Sequence, residues 1–273
     1  MTEFETHIKM LNVCLVIPTY NHAAFLEGVI KDCLQYPIDI IIVNDGSTDE
    51  TLDLVNKIYD LRFTIYDLPH TSHHIPHTTH HTPLTVLTYE KNKGKGYALK
   101  QGAKKAKALG YKAIITMDSD GQHFASDIKT MVNAALENPD AIIVGSRGLK
   151  HDNMPKKNSF ANKFANFWFG VQTFQKIPDT QSGFRYYPLH CFDRKIWFTN
   201  RYNFELEILV RNVWKGTKIT PVPIQVYYAP IGERITHFKP ALDFFRISVL
   251  NTFLSIFAVI YFYPKKLILF LKK

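Results

Sequence analysis

Residues 113–122 read Ala-Ile-Ile-Thr-Met-Asp-Ser-Asp-Gly-Gln, an apolar run that ends on two carboxylates, Asp118 and Asp120. An isoleucine-rich run of this length is typical of a buried parallel strand, and ligands of open α/β sheets gather at the carboxyl ends of such strands. The two carboxylates, with the Gln122 amide beyond them, offer the hard oxygen ligands that Mg²⁺ or Mn²⁺ prefers. Two acids in a loop are also commonly a plain solvated turn, so the surrounding sequence must distinguish these interpretations.

Two further apolar runs end in polar residues in the same way. Residues 13–18 lead into Thr-Tyr-Asn-His, and residues 39–44 lead into Asp-Gly-Ser-Thr-Asp, where Asp49 is predicted to cap the next helix. The other predicted elements are helices over 23–36, 49–59 and 96–109 and strands over 61–66 and 84–89. This alternation predicts an α/β fold with a mostly parallel, doubly wound sheet flanked by helices. Its polar strand tips should meet at one edge.

Six motifs carry a resemblance to a known family. They are Val-Ile-Pro-Thr-Tyr-Asn (16–21), Val-Asn-Asp-Gly-Ser-Thr-Asp-Glu-Thr (43–51), Asn-Lys-Gly-Lys-Gly-Tyr-Ala-Leu (92–99), Met-Asp-Ser-Asp-Gly-Gln-His (117–123), Val-Gly-Ser-Arg (144–147) and Asp-Thr-Gln-Ser-Gly-Phe-Arg (179–185). In this order the motifs resemble the family 2 glycosyltransferases with the GT-A (Rossmann-like) fold, within them the dolichyl-phosphate mannose synthase-like branch. The resemblance covers about the first 190 residues.

The resemblance implies a site for a nucleotide-diphosphate sugar and a metal. The implied nucleotide residues are Pro18, Tyr20, Asn21 and Asp45, and the implied ligands of Mg²⁺ or Mn²⁺ are Asp118, Asp120 and Gln122. Two departures leave the nucleotide open, since His22 and Asn44 stand where the family usually has acids. Physical reasoning from the residues agrees in part. Asp45 could accept a ring N–H of a base, and Lys95 between two glycines forms a basic turn suited to phosphate or an ordinary loop.

The acceptor decides which further groups the reaction needs. A hydroxyl acceptor needs a base, and Glu205 or Glu207 stands near where the family places such an acid. A polyprenyl phosphate is already ionised and needs cations instead. Arg147 and Arg185 are predicted to supply them. Further candidates for contact with substrate are Lys156, Lys157, Lys163, His123, Arg234 and His237, although a lysine cluster is also commonly a solvated face.

Charge and composition indicate an anionic partner. The chain has 33 Lys+Arg against 24 Asp+Glu, a net charge of +9, and no acid follows Asp243. This distribution favours a lipid surface, and no nucleic-acid-binding motif accompanies it. The three cysteines form no C-x-x-C pair, which suggests a reducing compartment, and the amino terminus lacks the pattern of a signal peptide. The expected location is the cytoplasmic face of a membrane.

The carboxyl-terminal segment is predicted to associate with the membrane. Residues 247–263 carry no charge, and 17 residues are at the lower limit of the roughly 17–25 needed to cross a bilayer. A helix lying in the interface would explain both the short length and the basic flanks. A helix packed on the catalytic core or on a second subunit is the alternative. We therefore expect a catalytic domain over 1–240, interrupted by a histidine-rich surface insertion at 67–83, and a membrane-associated segment over 241–273.

These features together predict an inverting, metal-dependent glycosyltransferase. It would move a sugar from a nucleotide-diphosphate sugar to a polyprenyl phosphate, dolichyl or undecaprenyl, in cell-envelope glycan biosynthesis. One alternative is a family 2 enzyme that uses a saccharide or other hydroxyl acceptor. Another is a catalytically silent protein that binds a sugar nucleotide or a lipid. The oligomeric state stays open.

Overall fold

The structure, a computed structural model, describes residues 2–66, 84–147, 156–227 and 240–271. The histidine-rich segment 67–83, Arg234 and His237 lie outside these ranges, as do the side chains of Lys156 and Lys157. The predictions made for them therefore stay predictions.

The described residues form one seven-stranded sheet in the order β3-β2-β1-β4-β6-β5-β7. All neighbouring strands are parallel except β6, which runs antiparallel to both β4 and β5. The strands are β1 (Val13–Thr19), β2 (Ile40–Asn44), β3 (Leu84–Thr88), β4 (Ala113–Thr116), β5 (Ile142–Arg147), β6 (Arg185–Pro188) and β7 (Ile219–Ile224). The predicted strand over 84–89 is thus observed, as are the three strands with polar tips.

Helices cover both faces of this sheet. They are α1 (Glu3–Leu11), α2 (Ala23–Cys33), α3 (Thr51–Tyr66), α4 (Lys95–Ala108), α5 (Asp127–Glu137), α6 (Lys156–Thr173), α7 (Phe204–Val213), α8 (Pro240–Phe257) and α9 (Tyr263–Leu271). A 3₁₀ turn, Leu189–Phe192, follows β6, and a π-helical turn, Ala258–Phe262, joins α8 to α9.

The predicted strand over 61–66 is wrong, because α3 continues to Tyr66. Once a helix is nucleated, each further residue adds a hydrogen bond at little extra cost, and this cooperativity overrides the strand preference of a short apolar run. Asp49 supports the start of this helix, since its Oδ1 accepts from the Thr51 amide at 3.0 Å. Its Oδ2 accepts from the Ala23 amide at 3.2 Å, so one carboxylate ties the starts of α2 and α3 together.

The sheet separates two apolar cores, and successive side chains of β1 face one core and then the other. Cys14 and Val16 face the first core, which includes residues of α4, α7 and α8. Leu15 and Ile17 face the second core, which includes residues of α1, α2 and α5. Successive side chains of a strand point to opposite faces, so a run that is buried throughout serves both layers. In β4, Ile114 faces the first core and Ile115 the second, so the acid pair follows a strand covered on both sides.

The carboxyl-terminal helices pack along the first core of the sheet. A buried stripe on α8 and the π-helical turn packs against the first core: Leu250, Leu254, Ala258 and Phe262. The Gln172 amide of α6 donates to Oδ1 of Asn251 at 3.0 Å, and the Tyr263 hydroxyl donates to the Val171 carbonyl. The opposite side of these helices is apolar and exposed, including Phe245, Phe253 and Ile260. By length and composition, Leu242–Leu271 could cross a membrane.

Proline explains the π-helical turn. Pro264 has no N–H, so the Ile260 carbonyl cannot receive the hydrogen bond that an α-helix would supply. The Tyr263 amide donates to the Ala258 carbonyl, five residues back, which widens the turn just before the proline. The helix thereby continues past Pro264 instead of ending there.

Candidate functional site

The polar strand tips meet at one edge of the sheet, as the sequence predicts. The Asp45 amide donates to the Thr19 carbonyl at 2.9 Å, which joins the ends of β2 and β1. The Ser119 hydroxyl, between the two acids, donates to the Pro18 carbonyl at 3.0 Å. Three separate sequence motifs therefore contribute to one site.

Lys95 forms ion pairs with two acids of this site. It begins α4, and its ammonium lies 2.6 Å from Oδ1 of Asp118 and 3.0 Å from Oε2 of Glu205. Burial alone would lower the pKa of Lys95, but the two acids raise it above its ordinary value. The lysine is thus held charged between one acid that follows β4 and one in the first turn of α7.

The two acids that follow β4 have opposite pKa shifts. Burial raises the pKa of Asp118, but Lys95 and then His123 outweigh this effect and lower it to about 2. Burial, followed by the negative charge of Asp118, raises the pKa of Asp120 to about 6. Two partly buried carboxylates that interact in this way repel each other unless a cation lies between them. The environment therefore favours a bound cation beside Asp120.

The oxygen donors fit a divalent ion. Asp118 and Asp120 provide carboxylate oxygens, the ligands that Mg²⁺ and Mn²⁺ prefer. Oδ1 of Asp120 accepts from the backbone N–H of Gln122 at 3.0 Å. The backbone carbonyl of Gln122 accepts from the backbone N–H of Tyr227 at 2.9 Å. Within the described ranges, no group of three or more His, Cys, Asp or Glu residues could hold a metal. A metal here would need further oxygens, which a diphosphate would supply.

Gly183 makes room for the Asp118 carboxylate. A Cβ added at Gly183 would lie 2.4 Å from Oδ2 and 2.6 Å from Oδ1 of Asp118, so the carboxylate would have to move. The glycine lies just before β6, the antiparallel strand beside β4. The position of this acid thus depends on a residue 65 positions later in the chain.

Gly183→Ala is expected to lower divalent-metal affinity by roughly tenfold or more, because it displaces a candidate metal ligand. Gly28→Ala in α2 is the matched control, since nothing lies within 4 Å of the added methyl. The control should keep the metal affinity of the parent protein and gain about 0.4–1 kcal/mol of stability. Metal titrations and urea unfolding of both variants make the comparison. A Gly183→Ala protein with unchanged metal dependence would contradict this account of Asp118.

Glu205 and Glu207 were both candidate bases, and the structure separates them. Glu205 faces the site, where it pairs with Lys95. Glu207 is fully buried on the other side of the helix turn, where it accepts from the Phe198 and Thr199 amides at 3.0 Å and pairs with Arg211 at 2.5 Å. Because its oxygens hold a loop and the partly buried Arg211 guanidinium, the structure indicates a structural role for Glu207, and its role as a base stays a prediction.

The contacts of Arg185 indicate a structural role, and its predicted contact with the acceptor phosphate stays a prediction. Its side chain is fully buried, and it donates to the carbonyls of Ser182, Thr180 and Glu205 at 2.6, 2.9 and 2.7 Å. It also donates to the Tyr187 hydroxyl at 2.9 Å. This guanidinium binds the 180–185 loop to α7. It therefore positions Glu205 through the backbone.

Arg147 lies at the partly exposed end of β5. Asp179 holds it through a fork, with Nε 2.6 Å from Oδ2 and Nη2 3.0 Å from Oδ1. The pKa of His123 is lowered to about 4, chiefly by burial. The positive charges of Arg147 and Lys95 lower it further, and the negative charge of Asp118 opposes them. Both cations therefore act on the space beside the acid pair.

Sequence reasoning missed Asp179 as the partner of Arg147, although it begins one of the six motifs. Lys163 is exposed on α6.

The implied nucleotide residues lie together at the tips of β1 and β2. Asn21, in a left-handed conformation with φ 52°, accepts from the Thr48 amide at 2.7 Å. Asp45 is almost fully buried, and its two oxygens accept from the Lys93 and Gly94 amides at 3.0 and 2.6 Å. It thus holds the turn that leads to Lys95. Pro18 and Tyr20 flank this region, and their contact with a nucleotide stays a prediction.

The sheet order, with the acid pair at its carboxyl edge, defines a GT-A type α/β protein. A solved structure with this fold is glucosyl-3-phosphoglycerate synthase from Mycobacterium tuberculosis in complex with Mn²⁺, uridine-diphosphate-glucose and glycerol 3-phosphate. It matches with a TM-score of 0.57 at 16% identity, over 94% of this chain and 82% of that one. The predicted fold class is confirmed.

The chain belongs to the glycosyl transferase family 2, whose model matches residues 14–196. It is 38% identical over 178 residues to the UDP-N-acetylglucosamine–dolichyl-phosphate N-acetylglucosaminyltransferase of Methanococcus voltae, which covers 63% of this chain and 68% of that protein. It is 27% identical to the dolichyl-phosphate beta-glucosyltransferase of Dictyostelium discoideum, over 77% of this chain and 64% of the relative. The predicted family and the predicted class of enzyme, a glycosyltransferase, are confirmed.

Proposed function

We propose that this protein is an inverting, metal-dependent glycosyltransferase that moves a sugar from a nucleotide-diphosphate sugar to a polyprenyl phosphate at the cytoplasmic face of a membrane. The observation that carries the choice of acceptor is the contact between Glu205 and Lys95. Glu205 is largely buried, and the Lys95 ammonium occupies its Oε2, so this oxygen is engaged in an ion pair; such an arrangement suits an acceptor that needs no deprotonation. The names of the two relatives, both acting on dolichyl phosphate, support the same choice.

The metal would be Mg²⁺ or Mn²⁺ held by Asp118 and Asp120, with Gln122 as a third candidate ligand. The donor chemistry of the acid pair supports this assignment. The Mycobacterium tuberculosis synthase, which shares the fold and was solved with Mn²⁺ and uridine-diphosphate-glucose, agrees with it. When bound, the ion would supply positive charge to the departing diphosphate.

The remaining groups would orient the two substrates. Lys95 is fixed between Asp118 and Glu205, so it presents positive charge at a defined place beside the diphosphate. Arg147, oriented by Asp179, would face the acceptor phosphate. An acceptor phosphate oxygen would attack the anomeric carbon as the bond to the donor diphosphate breaks. The nucleoside diphosphate leaves with the electron pair, and no proton has to be removed from the ionised acceptor.

Direct assay of the product tests the reaction. The purified protein would be incubated with a panel of sugar nucleotides, a polyprenyl phosphate and Mg²⁺ or Mn²⁺, and the lipid fraction would be analysed by mass spectrometry. We expect one glycosylated lipid phosphate. No product from any donor, despite sugar-nucleotide binding, would support the silent binding protein. Transfer only to a saccharide would support the hydroxyl-acceptor enzyme.

Glu205→Gln is expected to reduce transfer to a lipid phosphate modestly, because no general base is lost. With a hydroxyl acceptor the loss should be about 10²–10⁴-fold. Glu207→Gln is the comparison, and it should instead lower stability, by about 3–5 kcal/mol if the buried pair with Arg211 is broken. Measuring kcat/KM and urea unfolding for both variants separates the roles. The opposite result is a Glu205→Gln protein that folds normally and binds the sugar-nucleotide donor, still through Lys95, but has no activity. It would favour the hydroxyl acceptor.

The exposed side of α8 and the π-helical turn is proposed to lie on the membrane. It presents Phe245, Phe253, Ile256 and Ile260 to the outside, while the opposite stripe packs on the catalytic domain. A helix held against the domain along this length suits an interfacial position better than a spanning one. Deleting the segment is a poor test, because Leu250 and Leu254 belong to the first core.

Substitution of the outer side is a cleaner test. The double variant Phe253→Gln/Ile260→Gln is expected to bind anionic vesicles roughly 10²- to 10⁴-fold more weakly, since each large apolar side chain contributes about 1.5–3 kcal/mol when buried. Met10→Gln, equally exposed but on α1, should bind as the parent protein does. Vesicle sedimentation measures both. Unchanged sedimentation of the double variant would count against the interfacial helix.

A further inference from the structure

The segment Arg194–Phe198 exposes large apolar side chains beside the carboxyl-terminal helix. Ile196 is 66% exposed and Phe198 is 57% exposed. The Phe198 ring stacks on Phe257 of α8, with ring centroids 6.4 Å apart. The apolar surface of the helix therefore continues onto the catalytic domain. We call Arg194–Phe198 the 194–198 tip.

Side-chain contacts from α7 hold the backbone of the 194–198 tip in place. Glu207 accepts from the Phe198 amide at 3.0 Å, and Arg211 donates to the Ile196 carbonyl at 3.1 Å. Trp197 turns inward and packs edge-to-face on Phe204, with centroids 5.1 Å apart. The exposure of Ile196 and Phe198 is thus imposed by a fixed backbone. Exposed apolar patches of this kind mark sites that contact a partner or a membrane.

Cations surround the 194–198 tip. The Arg211 guanidinium lies 4.5 Å from the centre of the Phe198 ring, and the Arg194 guanidinium lies 5.9 Å from that of Trp197. Lys195 is exposed between them. Asp193, the nearby acid, pairs with Lys107 at 2.7 Å. Arg211 is neutralised by Glu207, so Lys195 and the partly exposed Arg194 are the cations available to anionic headgroups, while the apolar side chains match the acyl chains of a lipid surface.

We propose that the 194–198 tip is a second membrane contact, which inserts Ile196 and Phe198 among lipid acyl chains beside the outer side of α8. This inference rests on the proposed membrane-bound function. It also links the lipid surface to the chemistry. The residues just after the tip hold α4, since Lys100 donates to the Thr199 carbonyl at 2.9 Å and the Tyr97 amide to the Asn200 carbonyl at 2.8 Å. Lys95 and Glu205 are therefore kept at a fixed distance from the bilayer.

Site-specific fluorescence tests the insertion in the full chain. The three native cysteines are buried, and burial raises the pKa of the Cys33 and Cys191 thiols to about 12, so they react slowly with thiol reagents. Ile196→Cys would carry an environment-sensitive dye. Ile260→Cys, 70% exposed on the π-helical turn, reports the helix, and Met10→Cys, 69% exposed on the opposite layer of the fold, reports water.

With phosphatidylcholine vesicles containing phosphatidylglycerol, we expect blue-shifted emission at positions 196 and 260 and none at position 10. A shift at 260 without one at 196 would overturn the second contact and leave the membrane-bound helix standing. No shift at either position would overturn both. A concentration-dependent shift at 196 without vesicles would assign the surface to a second copy of the chain and overturn the lipid contact.

Kinetics supply an independent readout of the same contact. Ile196→Ser/Phe198→Ser should raise KM for a long-chain lipid phosphate in vesicles several-fold and leave kcat unchanged. In detergent, the double variant should transfer sugar to the same acceptor at the rate of the parent protein. This control would show that the active site is intact. Unchanged KM in vesicles would contradict the proposal.

Discussion

Asp120→Asn is expected to reduce sugar transfer by roughly 10²–10³-fold, because it removes a carboxylate ligand of the ion that would stabilise the departing diphosphate. The fold should survive the change. The pKa of Asp120 is raised above its ordinary value by burial and by Asp118, so at neutral pH the charged form destabilises the folded state. Replacing it with a neutral amide removes that repulsion, and the free energy of unfolding should stay equal or rise.

A radiolabelled-sugar assay over a range of metal concentrations measures this effect. Asp32→Asn, an exposed acid on α2, is the matched control and should behave as the parent protein. Urea unfolding of both variants checks the fold. Unchanged turnover of Asp120→Asn, together with a parent enzyme that is insensitive to EDTA, would rule out the metal assignment.

Arg185→Met is expected to lower the free energy of unfolding by about 3–5 kcal/mol, an effect comparable to breaking a buried ion pair. The substitution leaves the carbonyls of Ser182, Thr180 and Glu205 without the donors that now satisfy them. Unsatisfied buried groups cost about 1–3 kcal/mol each, and neighbouring losses are not additive. Activity should fall as a consequence of the lost structure.

Urea unfolding with Arg201→Met as the exposed control decides this point. The control should change stability by about 0.5 kcal/mol or less. If Arg185→Met folds as stably as the parent protein and only raises KM for the acceptor, then the expectation of a direct phosphate contact is correct. The same pair of measurements on Arg147→Met would show whether that partly exposed arginine, rather than Arg185, binds the acceptor.

The amino-acid sequence by itself determined the family, the alternating α/β order and the edge of the sheet where the site lies. These are local properties, since an apolar run sets a strand and the polar residues that follow set its tip. Asp118 and Asp120 could be found in this way because both follow one strand. The predicted strand over 61–66 failed for the opposite reason, since the outcome there depended on the helix that already preceded it.

Only the tertiary structure decided which charged residues face the site. Glu205 and Glu207 are two positions apart, yet one contacts Lys95 and the other is buried against Arg211. The two arginines that end sequence motifs also differ, since Arg185 is fully buried and Arg147 is partly exposed. The partners of these groups come from distant parts of the chain, and packing fixes them. Sequence spacing supplies the residue types, and the folded arrangement of helices and strands decides which of them meet.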